Sequence, residues 1–445
     1  MDLRALTIQK VLDNAEQKWG GRAYIWEKKD GAYLPKTLTE FARDVRGAAG
    51  LLLSKGLYGG QVAVLGKNSY EYMVADLAIM GYVGISVTFN PAWGVEDLAR
   101  ALDMLEVRLF FYDASHKDVA SELEKEYPAI EFMGLDGLAE AIEGMSGEGE
   151  FAGIDPAQPS KIMFTSGTTS RPKASLLSQR NMFAGWNSLS RRAQLTDSDR
   201  GYLFLPLFHT FAGVYNFLYS LIGGCQIYLC SDTAKIAEEL QEVRPTVFCV
   251  VPLILERLYG AIGERDKAKA KRAMRLSRLL LPFGIDLRKR MFRKVHEALG
   301  GNLRYLFCAG AKLDSEVKAF FKDAGVNLLE AYALTETASS LALEYPRSKD
   351  LGSVGVVYED IEVRIDRPDE AGVGEIMVRG DNVCLGYYKN EKANEEAFEK
   401  DGYFRTGDLG RVTGGGKLFL EGRKRRMALG SNGENVYLDE EGEAG

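Results

Sequence analysis

The sequence lacks the spacing of a metal or disulfide framework. Its five cysteines, at 225, 230, 249, 308 and 384, form no CxxC pair, and its three histidines, His116, His209 and His296, stand far apart. Neither a zinc site nor a bridged scaffold fits that pattern, which reads as reduced thiols in a cytosolic protein. No run of about 18 apolar residues occurs, which excludes a transmembrane helix. The opening stretch 1–20 carries charges throughout and has no apolar core, so it does not read as a signal peptide. Positive charge is in deficit: 56 Lys and Arg against 63 Asp and Glu give a net charge of -7, which favours solubility and argues against general nucleic-acid binding.

What is present is a long chain with an ordinary core. Its 445 residues, 46% hydrophobic, allow about three compact units at roughly 150 residues each. The first half alternates strands and helices. VAVLGKNS (62–69), ISVTFNP (85–91) and RLFFYD (108–113) read as strands, with helices over 70–84 and 98–107 between them. The rhythm resumes near 200–252 and at NLRYLFCAGA (302–311), and it predicts a mostly parallel sheet covered on both faces. After about residue 345 short alternating segments, EVRID, GEIMVRG and KLFLEG, predict an antiparallel or barrel-like β unit. The expected fold class is therefore α/β, with two βαβ-layered subdomains and a smaller β-barrel-like one. The stretch 260–301 is basic and helical, broken by Pro282 and Gly284.

Four segments carry candidate chemistry. In the first, the apolar strand Ile162-Met163-Phe164 runs into Thr165-Ser166-Gly167-Thr168-Thr169-Ser170-Arg171-Pro172-Lys173. Backbone N–H groups, hydroxyls and one ammonium so arranged suit a polyphosphate; a polar surface turn is the plainer alternative. The second is Tyr332-Ala333-Leu334-Thr335-Glu336-Thr337, which alone reads as a helix start. The third, Asp401 to Gly410, alone reads as a β-turn run. The fourth, Glu421 to Met427, alone reads as a solvated basic run. Gly66-Lys67-Asn68-Ser69 imitates the end of a phosphate-binding loop, but the preceding Gly60 is misplaced and Asn68 replaces the Ser or Thr, so it reads as a strand-to-helix turn.

Together and in this order the four segments resemble the AMP-forming acyl-adenylating superfamily: acyl-CoA synthetases, firefly-type luciferases and peptide-synthetase adenylation domains. Pro206 to His209, Cys308 to Leu313, and Gly374 to Gly380 followed by Gly386-Tyr387-Tyr388 reinforce the resemblance, which spans nearly the whole chain. The resemblance implies ATP-dependent coupling of a carboxylic acid to AMP, then transfer to coenzyme A, with Mg²⁺ as cofactor. It implies that Thr165, Ser166, Gly167, Thr168, Thr169 and Lys173 cradle the β- and γ-phosphates, with Thr335 on phosphate and Glu336 on Mg²⁺. Asp408 is expected on the ribose hydroxyls and Arg423 on ribose or phosphate. Ala309, Gly310, Ala311 and Lys312 are expected to sandwich adenine with Glu330, Ala331 and Tyr332, and His209 to face the acid. Lys173, His209, Thr335 and Glu336 are the implied catalytic set.

The sequence departs from the family pattern in several places. Ser170 and Ala174 replace glycines of the phosphate loop, and Ala331 and Ala333 replace glycines bordering the acyl pocket. Arg425 and Arg426 stand where a Lys and an Asp are common. Family members continue into a small C-terminal lid domain with a catalytic lysine, whereas this chain stops at Gly445 with no Lys after Lys424. The expected organisation is a large domain over 1–420, divided near 345, a hinge over 421–427, and the start of the missing domain over 428–445. Such a chain is expected to bind ATP and acyl-adenylate but to adenylate slowly alone. The 260–301 insert, before Gly300-Gly301-Asn302-Leu303-Arg304, favours a medium- or long-chain fatty acid; it also leaves open a solvated helical pair or peripheral contact with anionic lipid. The alanines favour an aryl or short-chain acid instead, and the missing lysine favours a non-catalytic nucleotide-binding protein.

Overall fold

The computed structural model describes residues 2–145, 151–165, 172–262, 272–275, 277, 279–283, 285–423, 427–429 and 435–437. A seven-stranded sheet runs in the order Gly386–Tyr387, Lys173–Ser178, Pro159–Thr165, Ile85–Thr88, Gln61–Leu65, Val107–Tyr112, Glu131–Gly134. From Pro159–Thr165 onward the neighbours are parallel, and the first two strands are antiparallel additions. Gln61–Leu65 is buried at every position, which explains its unbroken apolar reading.

A nine-stranded sheet runs Val356–Val357, Ala342–Leu343, Leu328–Tyr332, Tyr305–Cys308, Val247–Val250, Arg200–Leu203, Gln226–Leu229, Ala23–Lys29, Ala32–Thr37. Its middle is parallel and its margins are antiparallel. The α/β class and the mostly parallel sheets are as expected. The division expected near 345 is crossed by the strands, since Val356–Val357 and Gly386–Tyr387 join the two α/β sheets.

The later β unit is an antiparallel sheet of Glu362–Asp366, Gly374–Arg379, Phe404–Val412 and Leu418–Arg423. It is open: its outer strands do not pair, so no barrel closes among the described residues. The turn run expected over Asp401 to Gly410 is corrected here. The turn is confined to its start, and Phe404–Val412 is a strand whose buried face carries Phe404, Thr406, Asp408 and Gly410. Thr406 is satisfied there by donating to the Ile376 carbonyl at 2.7 Å. The strand Leu418–Arg423 reaches into the segment read as a hinge. Met427–Leu429 and Asn435–Tyr437 pair as a short ribbon.

The apolar helix expected over 70–84 is present as Tyr70–Ala78, which widens into a π-turn at Ile79–Val83. Asp76 on that buried helix accepts from Lys161 Nζ at 2.6 and 2.8 Å, and both side chains are 2% exposed. A lone buried charge would be costly. The pair therefore fastens the helix to the strand that leads into the hydroxyl-rich loop. Within 260–301 the described pieces include helical residues at 272–275, a single turn at Leu281–Phe283 and the helices Arg288–Met291 and Arg293–Ala298. Among the described residues no helix is long and apolar enough to cross a membrane.

Candidate functional site

Thr165, Ala309 to Lys312 and Tyr332 to Glu336 lie at the C-terminal ends of parallel strands, where open α/β sheets bind ligands, whereas Asp408 and Arg423 come from the antiparallel sheet. Thr165 ends one strand and Lys173 opens the next, and the two lie opposite each other in an antiparallel hairpin. The Thr165 hydroxyl donates to the Lys173 carbonyl at 3.5 Å, which closes the neck of the loop. Ser166, Gly167, Thr168 and Thr169 lie outside the described residues. Ala309 to Lys312 follow the strand Tyr305–Cys308, and Thr335–Thr337 form a single 3-10 turn after its neighbour Leu328–Tyr332. Gly310 has a φ of +97°, a conformation that side chains rarely adopt. The chain leaves the Thr335–Thr337 turn through Ala338 and Ser339, both non-glycine residues at positive φ.

Two clusters form from distant segments. In the first, the Lys173 ammonium lies over the Tyr387 ring, 4.8 Å from its centroid, and the Tyr387 hydroxyl donates to Glu336 Oε1 at 2.8 Å. The Cys384 N–H also donates to the Glu336 carbonyl at 2.7 Å. In the second, Asp408 accepts from the Tyr332 hydroxyl on one oxygen and from Arg423 Nε on the other. Asp408 and Arg423 are cross-strand partners, so the ion pair follows from register. Burial, together with the Asp408 charge, holds the Tyr332 phenol well above its ordinary pKa. Tyr332 and Glu336 are four residues apart, so at the maximum extension of the chain their backbones lie within about 14 Å. That is a span one nucleoside triphosphate can bridge.

The other candidates divide. Lys312 is exposed and reaches the Leu420 carbonyl at 3.5 Å, beside the strand that carries Arg423. Ala309 and Ala331 are buried in the core beside Tyr332. Glu330, expected beside adenine, has its carboxylate turned into a buried ion pair with Lys318 at 2.6 Å. Its backbone N–H and carbonyl are likewise engaged, by the Glu344 carboxylate and the Glu344 N–H at 3.0 Å each. His209 is exposed beside Phe208, two residues before a wide helical segment that begins at Phe211. The remaining histidines are structural: His116 bridges Asp113 and the Pro91 carbonyl, and His296 meets the Ala324 carbonyl. The turn at Gly66 to Ser69 is structural as expected, and it has a further role. Asn68 brackets Leu205 and Leu207 at 2.8 and 2.9 Å, which fixes the segment leading to His209. A surface cleft of about 510 Å³ lined by Trp19, Trp186 and Asp197 shares no residue with these clusters.

The model of the AMP-binding enzyme family matches residues 12–388. The chain belongs to this family. Long-chain-fatty-acid–CoA ligase FadD15 of Mycobacterium bovis is 30% identical, aligned over 92% of this chain and 72% of the relative. Long-chain-fatty-acid–CoA ligase 1 of Saccharomyces cerevisiae is 29% identical over 74% of this chain and 50% of the relative. Among solved structures, the N-terminal domain of FACL13 from Mycobacterium tuberculosis matches with a TM-score of 0.76 at 21% identity, covering 94% of this chain and 99% of that one. ATP-bound MatB from Rhodopseudomonas palustris matches at 0.77 and 24%, covering 98% and 82%. These structures establish a shared fold.

Proposed function

We propose that this chain binds ATP and a carboxylic acid and joins them as an acyl-adenylate with release of pyrophosphate, the acyl group then passing to coenzyme A. The supporting observation is the pair of clusters at the two ends of residues 332–336, one anion-binding and one suited to a ribose. A carboxylate is a poor electrophile, so attack on the α-phosphorus needs two anions held together and the growing charge neutralised. Lys173 meets that charge on the phosphates, Thr335 donates to phosphate, and Asp408 accepts from the ribose hydroxyls. Arg423, already tied to Asp408, reaches the ribose or phosphate. Ala309 to Lys312 and Tyr332 frame the adenine, and His209 faces the acid.

No group of three metal-ligating side chains converges among the described residues. A lone carboxylate such as Glu336, completed by phosphate oxygens, is how Mg²⁺ is ordinarily held in nucleotide sites. When bound there, Mg²⁺ would offset negative charge on the leaving pyrophosphate.

The acid is a medium- or long-chain fatty acid in this reading, which the named long-chain relatives support. Ala331 and Ala333 favour an aryl or short-chain acid as the second reading, because each adds a methyl beside the expected acyl path. A panel of acids decides. With ATP present, a bound acid raises the melting temperature through its affinity for the folded state. Octanoate to palmitate are expected to raise it, and benzoate and acetate are not. The reverse order would transfer the function to the second reading, and no response to ATP alone would remove both.

Peripheral lipid contact belongs to the same reading. Leu279, Phe283 and Ile285 are 68, 80 and 46% exposed, close to the basic run Arg288, Lys289 and Arg290. Apolar groups rimmed by cations suit an anionic lipid surface. Phe283→Asp is expected to weaken sedimentation with phosphatidylglycerol vesicles about tenfold, the loss of one buried aromatic side chain. Equal binding by the variant, or no preference for anionic over neutral vesicles, would overturn this contact.

A further inference from the structure

We propose that Tyr387 is a positioning residue that keeps the phosphate-binding cation and the metal-binding carboxylate apart and ready; this rests on the roles given to Lys173 and Glu336 above. The two groups carry opposite charge and approach the same ring. Lys173 Nζ lies 4.8 Å from the Tyr387 centroid, and the Tyr387 hydroxyl donates to Glu336 at 2.8 Å. Among the described residues Lys173 and Glu336 form no ion pair with each other or with anything else. The ring face takes the ammonium by a cation–π contact, and the hydroxyl takes the carboxylate by a charge-assisted hydrogen bond. The phenol is a partner that both ions share, so its loss leaves two opposite charges free to pair. A collapsed Lys173–Glu336 pair would have to be broken before phosphate or cation could bind.

The position of the ring is strongly determined. Tyr387 is 5% exposed. Its short strand pairs with the one that Lys173 opens, with Tyr387 opposite Ser175. The Asn394 side-chain amide grips the Tyr387 backbone from both sides, accepting from its N–H at 2.7 Å and donating to its carbonyl at 2.9 Å. Leu385 and Tyr388 N–H groups donate to Leu176 and Ala174 carbonyls at 2.8 Å each. The Cys384 N–H holds the Glu336 backbone at 2.7 Å, so one segment fixes both main chain and carboxylate of Glu336. Such support is what holds a charged group in a productive geometry.

The test compares ATP and AMP binding by calorimetry across a Mg²⁺ series, with Tyr387→Phe and Tyr387→Leu. Tyr387→Phe keeps the ring and frees the carboxylate. It is expected to weaken ATP binding about tenfold at limiting Mg²⁺, the contribution of one hydrogen bond to a charge. Saturating Mg²⁺ should recover most of that loss. AMP lacks the β- and γ-phosphates, so its affinity is expected to stay within about twofold. Tyr387→Leu removes the ring as well and is expected to weaken ATP binding at every Mg²⁺ concentration. In a Glu336→Gln background, which has no carboxylate to misplace, adding Tyr387→Phe should cost nothing further. Equal losses for ATP and AMP would assign Tyr387 a merely structural role and overturn the proposal. So would wild-type Mg²⁺ dependence in Tyr387→Phe, or a full additional loss in the Glu336→Gln background. A wild-type chain that binds neither nucleotide overturns the proposed function itself, which is a different result.

Discussion

Replacing Lys318 by Met is expected to cost about 3–5 kcal/mol of folding stability, because it leaves a buried carboxylate without its cation. Lys318 is fully buried on the helix Ser315–Asp323. Its ammonium donates to Glu330 at 2.6 Å and to the Ser353 carbonyl at 2.8 Å, and pairs with Glu344 at 3.2 Å. Lys322, one turn on, meets Glu344 at 2.7 Å. In the variant Glu344 keeps Lys322, while Glu330 keeps only a long contact from the Leu313 N–H at 3.4 Å. Burial already holds the Glu330 carboxyl above its ordinary pKa, against the pull of Lys318. Burial lowers the Lys318 ammonium, but its two carboxylates outweigh that and hold it above the usual lysine value. Removing the cation lets Glu330 rise further and take up a proton on folding. The folded state then binds more protons than the unfolded one, so stability falls as pH rises. The penalty is therefore smallest below about pH 4.3, the ordinary glutamate value, and grows toward neutrality. Urea midpoints at pH 4 and pH 7 check both parts. Pairing Lys318→Met with Glu330→Gln is expected to recover most of the loss, since deleting both charges is far cheaper than deleting one. A Lys318→Met chain with an unchanged midpoint at pH 7 would mean that water reaches Glu330.

That network also shows why some of the molecule was hidden from its sequence. Nothing in the sequence marks the lysines at 318 and 322 as buried, because lysine is rarely buried unless paired. Their partners are Glu330, on the strand Leu328–Tyr332, and Glu344, just past the strand Ala342–Leu343, and the pairing of those strands appears only in the fold. The same holds for Phe404–Val412. Its buried face carries Thr406 and Asp408, so hydrophobic alternation, the signal that reveals a strand, is absent. The parallel strands around 62–65 and 247–250 were legible because burial on both faces makes them continuously apolar, and Val107–Tyr112 keeps an apolar run at 109–111 despite an exposed Arg108. The site divides similarly. Lys173, Glu336, Asp408 and Arg423 stand in ordered motifs, and the fold brings them into two clusters through Tyr387 and Tyr332. Tyr387 had no signal of its own beyond a Gly-Tyr-Tyr run, since its partners are 51 and 214 positions away. Asn68 lay inside a phosphate-loop imitation, and its bonds to Leu205 and Leu207 were not readable from spacing.

Asp408→Asn should weaken AMP and ATP binding by the same factor, about 30-fold, equivalent to about 2 kcal/mol for exchanging charge-assisted hydrogen bonds for neutral ones. The equality follows from position. Asp408 lies in the cluster to which the proposed function assigns the ribose, so in that reading the β- and γ-phosphates do not enter its contribution. An ionised carboxylate offers about four lone-pair sites. Tyr332 and Arg423 use one on each oxygen, which leaves room for the two ribose hydroxyls to donate to a residue that is 5% exposed and poorly solvated. Asparagine keeps the shape but turns one acceptor into a donor, which faces either Arg423 or the Tyr332 hydroxyl, and one ribose hydroxyl beside it, with the wrong polarity. The Arg423 guanidinium then loses the Asp408 charge, so some loss of stability accompanies the loss of affinity, and melting curves without nucleotide separate the two. The decisive comparison uses 2′,3′-dideoxy-ATP. With no ribose hydroxyls to donate, it should bind the wild type about as weakly as ATP binds Asp408→Asn, and the substitution should weaken it little further. A full additional loss with the dideoxy nucleotide would show that Asp408 acts by holding Tyr332 and Arg423 rather than by accepting from ribose. A loss confined to ATP would move Asp408 to the phosphates and break the two-cluster arrangement on which the proposed function stands.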